Sequence, residues 1–88
     1  MRRAQGVKKK VAEVRLTRWR KAFAAVLAAS RRDADLAQWQ VAEEMGWGKN
    51  TLSSIERAEM SVSAEELMEL CRIYKVDPIT LLGRVVRW

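Results

Sequence analysis

Gln38 to Arg57 reads QWQVAEEMGWGKNTLSSIER, and the reading of this stretch decides the fold. Val41, Ala42 and Met45 fall at helical spacing, with Gln38, Glu43 and Glu44 directed to the opposite side. Thr51 or Leu52 with Ile55 gives a second, shorter apolar stripe, leaving Lys49, Asn50, Ser53, Ser54 and Arg57 outward. Between them Gly46 supplies the left-handed or otherwise cramped backbone that a tight turn between crossed helices requires. The stretch therefore predicts two short amphipathic helices, about Ala37 to Met45 and Asn50 to Arg57, that cross at a glycine-centred turn.

On the N-terminal side, Thr17 is the expected cap of a first helix running to about Arg31. Trp19, Phe23, Val26, Leu27 and Ser30 are spaced three or four apart on the face it should bury, and RRDAD (31–35) ends it. Residues 1–16 lack a helical period; VAEVRL (11–16) alternates well enough for a short strand if a partner edge is available and is otherwise disordered. On the C-terminal side, Ser63-Ala64-Glu65-Glu66 is a capping box that predicts a fourth helix from about Ala64 to Tyr74, with Leu67, Leu70, Cys71 and Tyr74 inward. Asp77 and Pro78 repeat the start signal for a fifth, from Pro78 to about Leu82 and ending near Gly83. RVVRW (84–88) reads as a strand-like or loosely helical tail. The expected architecture is all-α: a five-helix domain over 17–83 between a basic arm (1–16) and a tail (84–88).

At 88 residues, with 49% apolar content and a single Pro, the chain supports one folded core rather than two. A lone cysteine, Cys71, excludes an intramolecular disulfide, and the absence of histidine removes any His/Cys set with zinc-ligand spacing. No metal and no cofactor are expected, and a reducing, cytoplasmic compartment fits best. The apolar run AFAAVLAA (22–29) covers eight residues, well short of the ~20 that span a bilayer, so no membrane role is expected. Ser53 and Ser54 have no histidine to activate them, so an enzyme is not expected.

Charge is unevenly placed. The chain carries a formal +6, but residues 1–21 alone hold nine Lys or Arg against Glu13, and the remainder is −2. A basic arm on a near-neutral globule implies a polyanionic partner, because each Lys or Arg placed on a phosphate releases condensed counterions. Two short helices crossed at a tight turn also let one helix brace a second across DNA.

From about Val26 to Leu82 the chain resembles the Cro and C1-repressor type helix-turn-helix family, also called the XRE family. The family pattern Gln-x-x-Leu-Ala-x-x-x-Gly-Val-Ser followed by Ile-x-x-Ile-Glu stands here as Gln38, Val41, Ala42, Gly46, Trp47, Gly48, Leu52, Ile55 and Glu56. The later Pro-Ser-Leu-Glu-x-Leu and Gly-Val-Asp-Pro segments stand as Val62-Ser63-Ala64-Glu65, Leu67 and Val76-Asp77-Pro78. The resemblance implies that the third helix enters the major groove, with Gly48, Lys49, Asn50, Ser53 and Ser54 at base edges. It implies that Gln38, Thr51 and Arg57 hold the phosphate backbone, while Glu56 is a helix-stabilising acid. By its likeness to arm-bearing repressors, Arg2, Arg3, Lys8, Lys9 and Lys10 are expected on DNA as an arm; the competing reading is a disordered tail with non-specific affinity.

The resemblance further implies a homodimer on an inverted repeat, with the leftover apolar residues Ile79, Leu82, Val85, Val86 and Trp88 at its interface. The expected function is a transcriptional regulator, a repressor on double-stranded DNA. The alternative is an antitoxin or antiactivator-type module that uses the same fold to neutralise a partner protein. Three positions depart from the pattern: Gly48 replaces a usual Ser or Thr cap, while Ala58 and Lys75 replace glycines that normally accept positive φ. A non-glycine residue in that conformation costs about 1 kcal/mol.

Overall fold

The computed structural model describes the backbone of residues 2–88 and the side chains from Ala12 onward. It contains five helices: α1 (Arg2–Asp33), α2 (Gln38–Met45), α3 (Thr51–Glu56), α4 (Ala64–Tyr74) and α5 (Pro78–Arg87). The described residues form no strand. α1 packs against α3, α4 and α5, α2 against α3 and α4, and α4 against α5. The core enclosed by these contacts is built from Val26, Leu27, Val41, Leu52, Ile55, Leu70, Cys71, Tyr74, Leu81 and Val85.

The expected first helix is much longer than its sequence period indicates. α1 begins at Arg2, not near Thr17, so VAEVRL lies within the helix and is not a strand. Thr17 does not cap: its hydroxyl donates to the Glu13 carbonyl at 2.9 Å, one turn back inside the helix. A 32-residue helix rises about 48 Å at ~1.5 Å per residue, which accounts for the 49 Å long axis of the molecule. Only the part from Ala22 onward is enclosed by other helices, so the earlier segment has no packing period to read. Trp19, expected inward, is largely exposed because the loop after α3 does not close over it.

α5 likewise passes through Gly83 and ends at Arg87, so RVVR is helical and Trp88 follows the helix. Asp77 caps it by accepting from the Thr80 N–H at 3.1 Å, and Leu81 and Val85, four apart, hold it on the core. Ser63 and Glu66 form the expected box at the start of α4, Ser63 Oγ accepting from the Glu66 N–H at 3.0 Å and Glu66 Oε1 from the Ser63 N–H at 2.8 Å.

Four helices end in the same way. α1, α2, α3 and α4 are each followed by a residue of positive φ: Asp35 (60°), Gly46 (68°), Ala58 (63°) and Lys75 (56°). In each, the next residue's N–H reaches five positions back to a carbonyl of the last turn: Leu36 to Arg31, Trp47 to Ala42, Glu59 to Ser54 and Val76 to Cys71. These bonds satisfy carbonyls that a helix end would otherwise leave open. Ala58 and Lys75 thus keep the left-handed conformation for which glycine is suited, carrying a Cβ into it.

Ala58→Gly and Lys75→Gly should each raise the stability of the full chain by about 1 kcal/mol in urea unfolding. Gly46→Ala should lower it by a similar amount, about 1 kcal/mol. No atom lies within 4 Å of a Cβ built at Gly46, so that loss is a backbone cost rather than a clash.

Candidate nucleic-acid interface

The crossing of α2 and α3 is set by a polar joint beneath it. Arg31, near the end of α1, donates from Nε to Glu56 Oε2 at 2.7 Å and from Nη2 to Glu56 Oε1 at 3.0 Å, a two-pronged ion pair. Its remaining Nη1 donates to the Leu36 carbonyl in the α1–α2 loop at 2.7 Å. Gln38, the first residue of α2, donates from Nε2 to the same Glu56 Oε1 at 2.9 Å. The two charged side chains are only 12% and 7% exposed, so α1, the loop, α2 and α3 are joined at one nearly dry point. The hydrogen bond that Arg31 donates to Glu56 raises the Arg31 pKa above its ordinary value, outweighing burial. Burial, then the nearby Glu56 carboxylate, pushes the Tyr74 hydroxyl well above the usual phenol range.

Leu52 and Ile55 anchor α3 to the core, and Trp47 packs half-buried at the turn. Gly48, Lys49 and Asn50 are exposed at the head of α3, while Thr51, Ser53 and Ser54 are half-buried along it. Asn50 precedes α3 with helical rather than extended backbone (φ −105°, ψ −2°), and its side chain makes no capping bond. An asparagine that caps bends its side chain back onto the second or third amide from an extended backbone; Asn50 does not. Its amide is therefore left to outside contacts.

Other expected site residues are engaged internally. Ser53 Oγ donates to the Asn50 carbonyl at 3.2 Å and accepts from Arg57 Nη1 at 3.1 Å. Arg57 is bidentate on Glu59, with Nε and Nη2 each 3.1 Å from a carboxylate oxygen. That exposed pair holds the Glu59 carboxyl below its usual range, chiefly through the hydrogen bond. Gln38 is half-buried against Glu56, as described above. Sequence reasoning missed Arg31 and Glu59 as partners. Arg31 lies 25 residues from Glu56, and no local pattern marks such a pair. The Arg57–Glu59 spacing is readable but common.

A family model for the helix-turn-helix domain matches residues 22–82 of this chain. The chain belongs to the helix-turn-helix domain family. The match accords with the all-helical architecture and with the Cro and C1-type resemblance carried by Gln38 to Glu56. Searches of curated proteins and of solved structures give no significant match. Among the described residues, no helix of this helix-turn-helix protein is long and apolar enough to cross a membrane.

The side chains of Arg2, Arg3, Lys8, Lys9 and Lys10 lie outside the described residues, although their backbone belongs to α1. Of the expected dimer-interface residues, Val85 is corrected. It is buried in the core, because its position four after Leu81 turns it toward α1 and α4. Ile79, Leu82, Val86 and Trp88 are exposed.

Glu56→Ala leaves the Arg31 guanidinium buried without its partner and should destabilise the full chain by about 3 kcal/mol in urea unfolding. Arg31→Met/Glu56→Leu, which removes both charges together, should recover most of that loss. A double variant no more stable than the single one would show that the joint acts through packing rather than charge.

Proposed function

We propose that the protein is a sequence-specific transcriptional regulator of double-stranded DNA, a repressor that occupies an inverted-repeat operator as a homodimer with α3 in the major groove. The observation that carries this reading is the unspent amide of Asn50 at the exposed head of α3. An asparagine amide matches the N6 and N7 positions of adenine bidentately, and the neighbouring Lys49 ammonium matches guanine O6 and N7. Ser54, one turn along, serves either class of base, and Gly48 leaves the approach to the groove without a side chain.

Gln38, Thr51 and Arg57 take the phosphate backbone. An amide nitrogen carries two hydrogens, so Gln38 keeps one for a phosphate oxygen after serving Glu56. Arg57 exchanges the Glu59 carboxylate for a phosphate. Ser53 supports this indirectly, as the hydroxyl that orients Arg57. The basic residues that precede Ala22 contribute a salt-sensitive pull toward any polyanion.

Dimerisation is supported by α5. Ile79 (80% exposed) and Val86 (69% exposed) flank Leu82 on one helix face, an apolar stripe of the kind that two symmetry-related copies cover for one another. Two such copies present their reading helices to successive major grooves about 34 Å apart. Trp88, also exposed, lies instead beside Val14 and Thr17 of α1.

Selection of bound sequences from random duplex DNA at about 150 mM salt tests this reading, with wild type compared to Asn50→Ala/Ser54→Ala. Wild type should enrich a single inverted repeat that the double variant loses, at about 1 to 3 kcal/mol per lost base contact. Binding without enrichment would overturn sequence-specific regulation. Enrichment of an isolated half-site would overturn the homodimer.

A further inference from the structure

We propose that the groove between α1 and the α3–α4 loop docks an acidic, amphipathic helix of a partner protein. This goes beyond DNA recognition and uses residues outside the reading helix. The groove encloses about 350 Å³, and its apolar lining includes Leu16, Trp19 and Phe23 of α1 with Met60, Val62 and Leu67 across from them. Leu16 (59%), Trp19 (47%) and Met60 (44%) are left largely in water, and Phe23, Val62 and Leu67 only partly covered. Large apolar side chains gathered in one exposed cleft mark an interaction site, whereas the same residues scattered singly would not.

The shape is fixed rather than collapsible. Arg20 spans the cleft and donates from Nε to Ser61 Oγ at 3.3 Å, tying α1 to the loop. The loop enters the cleft directly after the left-handed Ala58, where the Glu59 N–H donates to the Ser54 carbonyl, and leaves it through the Ser63 and Glu66 capping box, so both of its ends are held by hydrogen bonds. A cleft with two apolar walls receives the side chains that an amphipathic helix presents at i, i+3 or i+4, and i+7.

Charge selects among helices. Arg20 is the one charged residue that lines the cleft. Arg15, next to Leu16 on α1, stands exposed at its edge, and residues 1–21 carry nine Lys or Arg against Glu13. Outside the cleft, next to its opposite wall, Glu59 is held by Arg57 and Glu66 accepts from the Ser63 N–H, so these two carboxylates are already engaged. An occupant that satisfies both features has apolar anchors for the cleft and carboxylates for α1. DNA phosphates meet the cations but leave Leu16, Trp19 and Met60 uncovered. A second α1 laid in the cleft sets like charges together.

The test is selection from a displayed library of random peptides on the full-length protein. The affinity of one enriched peptide is then compared by fluorescence anisotropy on wild type, Trp19→Ala/Met60→Ser, Leu16→Glu and Asn50→Ala. Enriched peptides should carry Asp or Glu around aromatic or aliphatic residues at helical spacing. Both cleft variants should bind at least about tenfold more weakly with an unchanged melting temperature, the scale expected when an anchor pocket is lost. Asn50→Ala should bind the peptide as wild type does, which separates this proposal from the DNA reading. Enrichment of basic peptides, no enrichment, equal binding by the cleft variants, or competition for the cleft by duplex DNA would each overturn it.

Discussion

Glu56 is the point on which the crossing of α2 and α3 depends. Its two oxygens receive Arg31 from α1 and Gln38 from α2, while Arg31 also holds the Leu36 carbonyl of the intervening loop. A six-residue helix such as α3 is far below the length at which a helix persists alone, so its existence rests on tertiary contacts. Leu52 and Ile55 give it apolar attachment, which fixes depth but leaves rotation about the helix axis soft. The bidentate pair supplies the missing angular restraint, since guanidinium and carboxylate meet in one plane. Buried ion pairs are poor sources of net stability, and this one is better understood as fixing geometry.

The loop after α3 connects two surfaces of different chemistry. At its start, Arg57 and Glu59 form an exposed charged pair beside Ser53; one and three residues after Glu59, Met60 and Val62 line the apolar cleft against α1. Ala58 makes that change of direction possible by adopting positive φ, so a residue with no functional group of its own decides which side chains face each surface. The conformational cost of that turn is borne by the core contacts on both sides of it.

The chain's helices were legible wherever burial or a cap wrote a pattern into it. Ser63 with Glu66 and Asp77 with Pro78 mark starts by local hydrogen bonding, and Gly46 marks a stop by conformation; all three stand as expected. The left-handed positions of Ala58 and Lys75 were legible only through the resemblance, because neither residue favours that conformation. The N-terminal half of α1 was not legible. Among its described side chains, Ala12 to Trp19 are all exposed, and a helix segment that buries no face has no reason to keep an apolar period. RVVRW, open between a strand-like and a loosely helical reading, continues α5 as far as Arg87, where Val85 is held by the core and Val86 is not. At the interface, exposure of Lys49 and Asn50 followed from the period of α3, whereas the internal engagement of Gln38 and Arg57 depends on partners that only the fold brings near.

α1 contributes Val26 and Leu27 to the core, and the elements that cover it include α5, whose Leu81 and Val85 are among the most deeply enclosed residues. α3 and α4 supply part of the cover for the apolar face of α1, and α5, which begins more than forty residues after α1 ends, supplies the rest. The core that α1 opens is thus closed by α5, and a chain that stops short of Leu81 and Val85 leaves part of that apolar face without its cover.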